Sequence, residues 1–272
     1  MATENNNGYA LITGASMGIG YELAKLFAQD GYNLILVARS QQDLDQAARD
    51  FKQQFGVDVV PMATDLFEPD AALNLYNGVK EKGFNVTALV NDAGQGQYGL
   101  FVEQDIERLL DIIQLNVSSF TVLTHVFLKD MVARNEGKIL QLASIASETP
   151  GPLQAVYHAT KAYVLSLTEA LINEVKDTNV TITALQPGVT DTDFFVKADM
   201  LDSKAVQDKS KMADPAKVAK DGYEALKKGD DKVVSGLKNK LQSAMSNIVP
   251  DAMLANQVHK QQEPVSKSNE TK

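Results

Sequence analysis

The stretch "TGASMGIG" (Thr13–Gly20) directly follows the apolar run "YALIT" (9–13). It leads into residues 19–29, where Ile19, Leu23, Leu26 and Phe27 recur at helical spacing. A strand, a glycine turn and a helix start, in that order, aim unpaired backbone N–H groups at an anion and form the phosphate cradle of dinucleotide-binding sheets. Two other readings compete. The same letters fit G-x-S-x-G, the nucleophile elbow of a hydrolase, with Ser16 as nucleophile. A second run, "NDAGQGQYG" (91–99), carries the G-x-G-x-x-G spacing at Gly94, Gly96 and Gly99.

The residues downstream of each run separate them. A dinucleotide turn needs a next strand that ends at the adenosine ribose. Beyond Gly20 the run "NLILVA" (33–38) ends at Ala38, Arg39 and Ser40, with Arg39 nineteen residues on. Beyond Gly99 comes the helix-like "IERLLDIIQLN", with no strand end at that distance. The first run is therefore the phosphate turn and the second a loop beside the cleft. An elbow at Ser16 would need preceding strands and a histidine base. Few residues precede Ser16. Of the three histidines, His125 reads as a packed side chain in an apolar helix, His158 neighbours Tyr157, and His259 falls in a polar tail.

Outward from the turn, further β-branched runs appear at 57–62, 87–91, 138–143 and 180–186, alternating with helical segments. In residues 105–117, for example, Ile106, Leu109, Leu110 and Ile113 share a stripe. Runs without polar alternation suit parallel strands covered on both faces. The expected fold is α/β: a single-domain, doubly wound parallel sheet of Rossmann type over residues 1–258, with helices on both faces. Residues 191–230 break the pattern and read as a mobile segment on the substrate side. Residues 259–272 read as a disordered polar tail. Leu237, Leu241, Met245 and Ile248 repeat at helical spacing before Pro250, which points first to core packing, then to a subunit interface or a peripheral membrane contact.

The chain has 272 residues, 44% hydrophobic and 22% charged, enough apolar material for one continuous core. With no cysteine, it has no disulfide, thiolate-bound metal or cysteine nucleophile, and no metal site is expected. A net charge of -9 disfavours nucleic acid as a partner. The N-terminus carries no signal-peptide pattern, and no window approaches eighteen uninterrupted apolar residues, so no transmembrane segment and a cytoplasmic location are expected.

Asn116, Ser144 and "YHATK" (157–161), behind "TGASMGIG" and "NDAG", occur in an order and spacing that resembles the short-chain dehydrogenase/reductase (SDR) family from about residue 8 to 235. The resemblance implies an NADP(H)-dependent oxidoreductase that interconverts a carbonyl and an alcohol, in practice a reductase. In it Tyr157 is the general acid/base, Ser144 binds the reacting oxygen, and Asn116 holds a water relay to Lys161, which also grips the nicotinamide ribose. It further implies cofactor contacts from Gly14, Ser16, Gly18, Ile19 and Gly20 of the turn, from Asp65 and Leu66, from Asn91, Ala93 and Gly94, and from Pro187, Gly188, Val189 and Thr192 of "PGVTDT". Tyr157 and Lys161 complete that set, and the family's habit is a homodimer or homotetramer.

Physical chemistry adds detail. Tyr157 and Lys161 are four apart and share a helix face. An ammonium roughly 5 Å from a phenol, at an effective dielectric of about 20, favours the phenolate by ~3 kcal/mol, or about 2 pKa units. Ala38 and Arg39 offer a guanidinium and no carboxylate to a 2′-phosphate, which favours NADP(H) over NAD(H). Asp65 reads equally as a cap for a helix near Glu68. Asp92 stands where the family usually has asparagine, in a position the family uses to tie strands together. Leu153, Phe194, Phe195 and Met200 hint at an apolar substrate. Two alternatives stand beside the reductase: a non-catalytic NADP-binding or redox-sensing protein, and the serine hydrolase using Ser16.

Overall fold

The apolar runs assemble into one parallel sheet in a computed structural model that describes residues 8–246 and 249–265. Its strands are β1 (Tyr9–Thr13), β2 (Asn33–Ala38), β3 (Val59–Ala63), β4 (Val86–Asn91), β5 (Gly137–Leu142), β6 (Val180–Gln186) and β7 (Lys232–Val234), in the order β3-β2-β1-β4-β5-β6-β7. The order reverses between β1 and β4, and the carboxyl ends on either side of that reversal open the crevice in which open α/β sheets bind ligands.

Three helices cover one face: α1 (Gly18–Gln29), α2 (Gln41–Phe55) and α8 (Pro215–Lys228). As the spacing predicts, Leu23 and Phe27 of α1 are buried. The Phe27 ring meets Tyr32 and Tyr223 edge-on at 5.1 and 4.8 Å, joining α1 to α8. The other face carries α3 (Ala71–Glu81), the long helix formed by α4 (Ile106–Ile113) and α5 (Phe120–Arg134), and α6 (Ala155–Glu174). Between α4 and α5, Gln114–Ser119 form a π-helical turn, a local widening that recurs at functional sites.

Several expectations need correction. Residues 215–228 do not belong to a substrate-side cover. Asp214 caps α8 through Ala216 N–H, and Val218, Ala219, Tyr223 and Leu226 are buried in the core. Of that segment, the part before α8, with the short α7 (Phe194–Lys197), borders the crevice. Order also continues past residue 258: α10 (Asp251–Gln262) buries Leu254, Val258 and Gln262. Residues 266–272 of the expected tail lie outside the described residues. In α9 (Leu237–Ser246), Leu237 and Leu241 are exposed rather than packed in the core, while the side chains of Met245 and Ile248 lie outside the described residues. On α4 the buried residues are Leu109 and Ile112, and Ile106, Leu110 and Ile113 face outward. His125 is exposed as well. The continuous helix Ile106–Arg134 is long and apolar enough to cross a membrane by length and composition, although here it packs against the sheet through Leu123, Phe127 and Met131.

Candidate active site

The turn after β1 is built for close approach. Gly14 and Gly18 have φ of +70° and +62°, the left-handed region that a side chain disfavours. Met17, the N-cap of α1, makes no side-chain capping bond, so backbone donors at the helix start remain available to a ligand. Ser16, Gly18 and Ile19 line the cleft, and Gly20 sits behind them. A Cβ at Gly20 would lie 2.5 Å from Gly14 O and 2.6 Å from Asp92 Oδ2. Thr13 stitches this turn to the end of β4: its Oγ1 accepts from the N–H groups of Asp92 and Ala93, each at 3.0 Å. Glycines with that conformation, an uncapped helix start and a neighbouring guanidinium fit a dinucleotide's phosphates.

Beside the turn, where Ala15 N–H bonds Val37 O at 3.2 Å, Arg39 follows β2 with its guanidinium 5.3 Å from the centre of the Phe67 ring. Arg108 stacks on the same ring at 5.5 Å and donates to Gln95 Oε1 at 2.6 Å. Phe67 thus carries two cations, a relationship between residues far apart in sequence that no local motif announces. Asp65 lines the cleft and accepts from Phe67 N–H at 3.1 Å. It caps no helix, since α3 starts only at Ala71 behind Asp70. Leu66 is buried, its carbonyl held by Ser119 Oγ at 2.7 Å.

The "NDAG" residues divide their roles differently from the expectation. Asn91 is buried and points away from the crevice, donating to Gln141 Oε1 at 2.9 Å and Thr124 Oγ1 at 3.0 Å. Asn91, and not the following position, therefore ties β4 to β5 and α5. Asp92, Ala93 and Gly94 line the cleft.

Ser144, just past β5, together with Tyr157 and Lys161 on α6 and Asn116 on the π-helical turn, surrounds the opposite wall. Ser144 Oγ accepts from Ala146 N–H at 3.1 Å and donates to Pro187 O at 3.4 Å. Lys161 is buried and donates to Leu142 O at 2.6 Å. Asn116 is fully engaged: Oδ1 accepts from Gln95 N–H at 3.0 Å, and Nδ2 donates to Gln95 O and Thr160 Oγ1 at 2.8 and 3.0 Å. It fixes the loop that carries Gly94 to α6. The expected acidification of Tyr157 by Lys161 is overturned for the chain's own groups. Burial pushes the phenol up to about 12, the Ser144 hydroxyl pulls it down, and the charge of Asp92 pushes it further up. Burial lowers Lys161 to about 8, against an opposing pull from Asp92. Desolvation outweighs the Coulomb attraction that sequence spacing alone suggests.

Pro187, Gly188, Val189 and Thr192 after β6 line the cleft, and Phe194, Phe195 and Met200 continue its wall beyond them. Leu153 is not part of that wall. It adopts φ +69° in the loop before α6, where its carbonyl accepts from Gly99 N–H at 2.9 Å. Phe194 packs against Tyr157 with ring centres 4.9 Å apart. The cleft, about 1260 Å³, is closed from above by α9 and α10, which contribute Asn239, Gln242, Val258 and Gln262. The carbonyl of Gln262 accepts from both Tyr98 Oη and Ser203 Oγ, fastening α10 to the segment that covers the crevice. None of these C-terminal residues stands out in the sequence, where the four-residue spacing of Leu254, Val258 and Gln262 is the sole hint. His158 is engaged with Thr149 O at 2.8 Å and lies near Gln262 Nε2 at 3.5 Å, which leaves Ser16 without a histidine base from that position.

A parallel sheet with a glycine turn at its switch point, facing a Ser-Tyr-Lys wall, defines a Rossmann-type dinucleotide-binding protein. The chain belongs to the short chain dehydrogenase family, whose family model matches residues 8–200. It is 33% identical over 176 residues to a very-long-chain 3-oxoacyl-CoA reductase of Laccaria bicolor, covering 64% of this chain and 52% of that protein. The chain thus aligns with about half the length of that reductase. It is 30% identical over 221 residues to a 7beta-hydroxysteroid dehydrogenase of Clostridium sardiniense, covering 81% and 82%. Among solved structures, a short-chain dehydrogenase from Sphingobium yanoikuyae in complex with NADPH superposes with a TM-score of 0.79 at 27% identity, covering 89% of this chain and 96% of that one.

Proposed function

We propose that this protein is an NADP(H)-dependent oxidoreductase that interconverts a carbonyl and an alcohol, working as a reductase in a reducing, cytoplasmic setting. The observation that carries this reading is the convergence of Ser144, Tyr157 and Lys161 on one wall of the crevice whose other end holds the glycine turn. A bound nicotinamide would supply the hydride. Tyr157 holds its proton across the neutral range and gives it to the oxygen that becomes the alcohol. Ser144, which lines the cleft with Tyr157, orients that oxygen and offsets the charge developing on it. Lys161 and Asn116 hold the wall in shape. Arg39, steadied by Phe67, favours a 2′-phosphate, and Ala38 presents no carboxylate against it.

Phe194, Phe195, Met200 and Val258 favour a bulky, largely apolar carbonyl compound. The family's habit supports a homodimer or homotetramer. A panel of carbonyls, from small aldehydes to steroid-sized ketones, followed by NADPH absorbance tests the reading. Consumption of NADPH with a ketone or aldehyde is the expected result. Cofactor binding without turnover on any member would favour a redox-sensing role instead.

A further inference from the structure

Three buried polar side chains meet where the start of α6 faces the end of α10. Gln154, the N-cap of α6, makes no side-chain capping bond, and His158 lies one turn further along the same helix. Gln262 ends α10 opposite them. All three line the cleft together with Tyr157. Gln154 and Gln262 are 4% and 8% exposed, so their amides need partners other than bulk water.

The partners present fill only half of that need. His158 Nδ1 lies 2.8 Å from Thr149 O, and a carbonyl only accepts, so Nδ1 carries the proton and Nε2 of the neutral ring is an acceptor. Gln262 turns its NH2 group toward that Nε2, 3.5 Å away, and donates to Gln154 Oε1 at 3.3 Å. Each amide keeps one open end. Gln154 Nε2, a donor, and Gln262 Oε1, an acceptor, are buried without a partner among the described residues. Such groups cost stability until a bound molecule meets them. The last torsion of a glutamine is soft, so a small turn presents each group to a ligand in the cleft. A hydroxyl both accepts and donates, whereas a ketone or ether oxygen only accepts.

We propose that Gln154 and Gln262 form a recognition site for a second oxygen of the substrate, a hydroxyl that accepts from Gln154 Nε2 and donates to Gln262 Oε1. The substrate is then a bulky carbonyl compound, apolar along Phe194, Phe195 and Met200, that carries a hydroxyl besides the carbonyl that is reduced. This inference deepens the reductase reading and rests on it.

The test follows NADPH consumption by the wild type with decalone, a saturated bicyclic ketone, with analogues bearing one hydroxyl at successive positions of the second ring, and with the methyl ethers of those alcohols. At least one hydroxydecalone is expected to exceed decalone about tenfold in kcat/KM, and its ether, which cannot donate, to lose that gain. Gln154→Met and Gln262→Met, which keep the length and remove the amide, should each shrink the ratio of hydroxydecalone to decalone. Hydroxydecalones no better than decalone, or a preference that both variants retain, would overturn the site while leaving the reductase reading intact. A wild type that consumes no NADPH with any carbonyl would overturn both. Should a variant not fold, loss or retention of the gain in the ether decides the same question on the wild type alone.

Discussion

The ammonium of Lys161 lies 5.9 Å from the centre of the Tyr157 ring and donates to the carbonyl of Leu142 at 2.6 Å. One helical turn apart on α6, the two side chains share a wall, yet the lysine is anchored to the sheet and burial governs the phenol. A phenol held in its protonated form suits carbonyl reduction, in which Tyr157 must give a proton. In the reverse direction it must first lose one. Reduction is therefore expected to hold its rate across neutral pH, while oxidation accelerates as pH rises.

The stacked pair of Arg39 and Phe67 yields a cofactor prediction. Arg39→Ala should lower kcat/KM with NADPH by about 10–100-fold, the worth of a charge-assisted hydrogen bond, and leave NADH little changed. Phe67→Ala, which removes only the ring that steadies the guanidinium, should act in the same direction by about threefold. Steady-state kinetics with both cofactors check this, and equal losses for NADPH and NADH would refute it.

His158 carries a prediction about acid stability. It is buried, and that burial holds its imidazole below the usual value. Below about pH 6.5 the unfolded chain takes up a proton there that the folded chain resists, so stability is lost as pH falls through that range. The thermal midpoint of the wild type should drop between neutral and mildly acidic pH more steeply than that of His158→Gln. Parallel curves would assign the acid sensitivity to other groups.

The roof of the cleft can be removed. Truncation after Pro250 deletes α10, and with it Val258, Gln262 and the carbonyl that receives Tyr98 and Ser203. The KM for a bulky ketone should rise about tenfold, consistent with losing one buried aliphatic contact, while NADPH affinity stays unchanged. A matching rise in the NADPH dissociation constant would make α10 a general support and not a substrate wall.

How much of this molecule is legible in its sequence depends on the range of the interactions involved. β1, β2 and β6 are legible to the residue, because buried parallel strands announce themselves as short runs rich in leucine and β-branched residues without polar alternation. β7 is not: it is three residues long and begins with an exposed lysine. The burial of α10 is diluted by the charged and polar residues on its other face. At the site, the strand-end residues Ser144 and Gly14 and the Tyr157–Lys161 pair are visible as letters at fixed spacing. The stacking of Arg39 and Arg108 on Phe67, and the packing of the Asp92 carboxylate against Gly14 and Gly20, arise from tertiary packing that spacing does not encode. The acidity of Tyr157 escapes the sequence because pair attraction can be reckoned from spacing, whereas desolvation needs the surrounding structure.

The most direct measurement pairs Tyr157→Phe with wild type, following NADPH binding by fluorescence and NADPH consumption by absorbance on the same preparations. Retained binding with turnover reduced by about 10³-fold is the expected result for loss of a proton donor. Turnover by the variant at the wild-type rate would contradict the assignment of Tyr157.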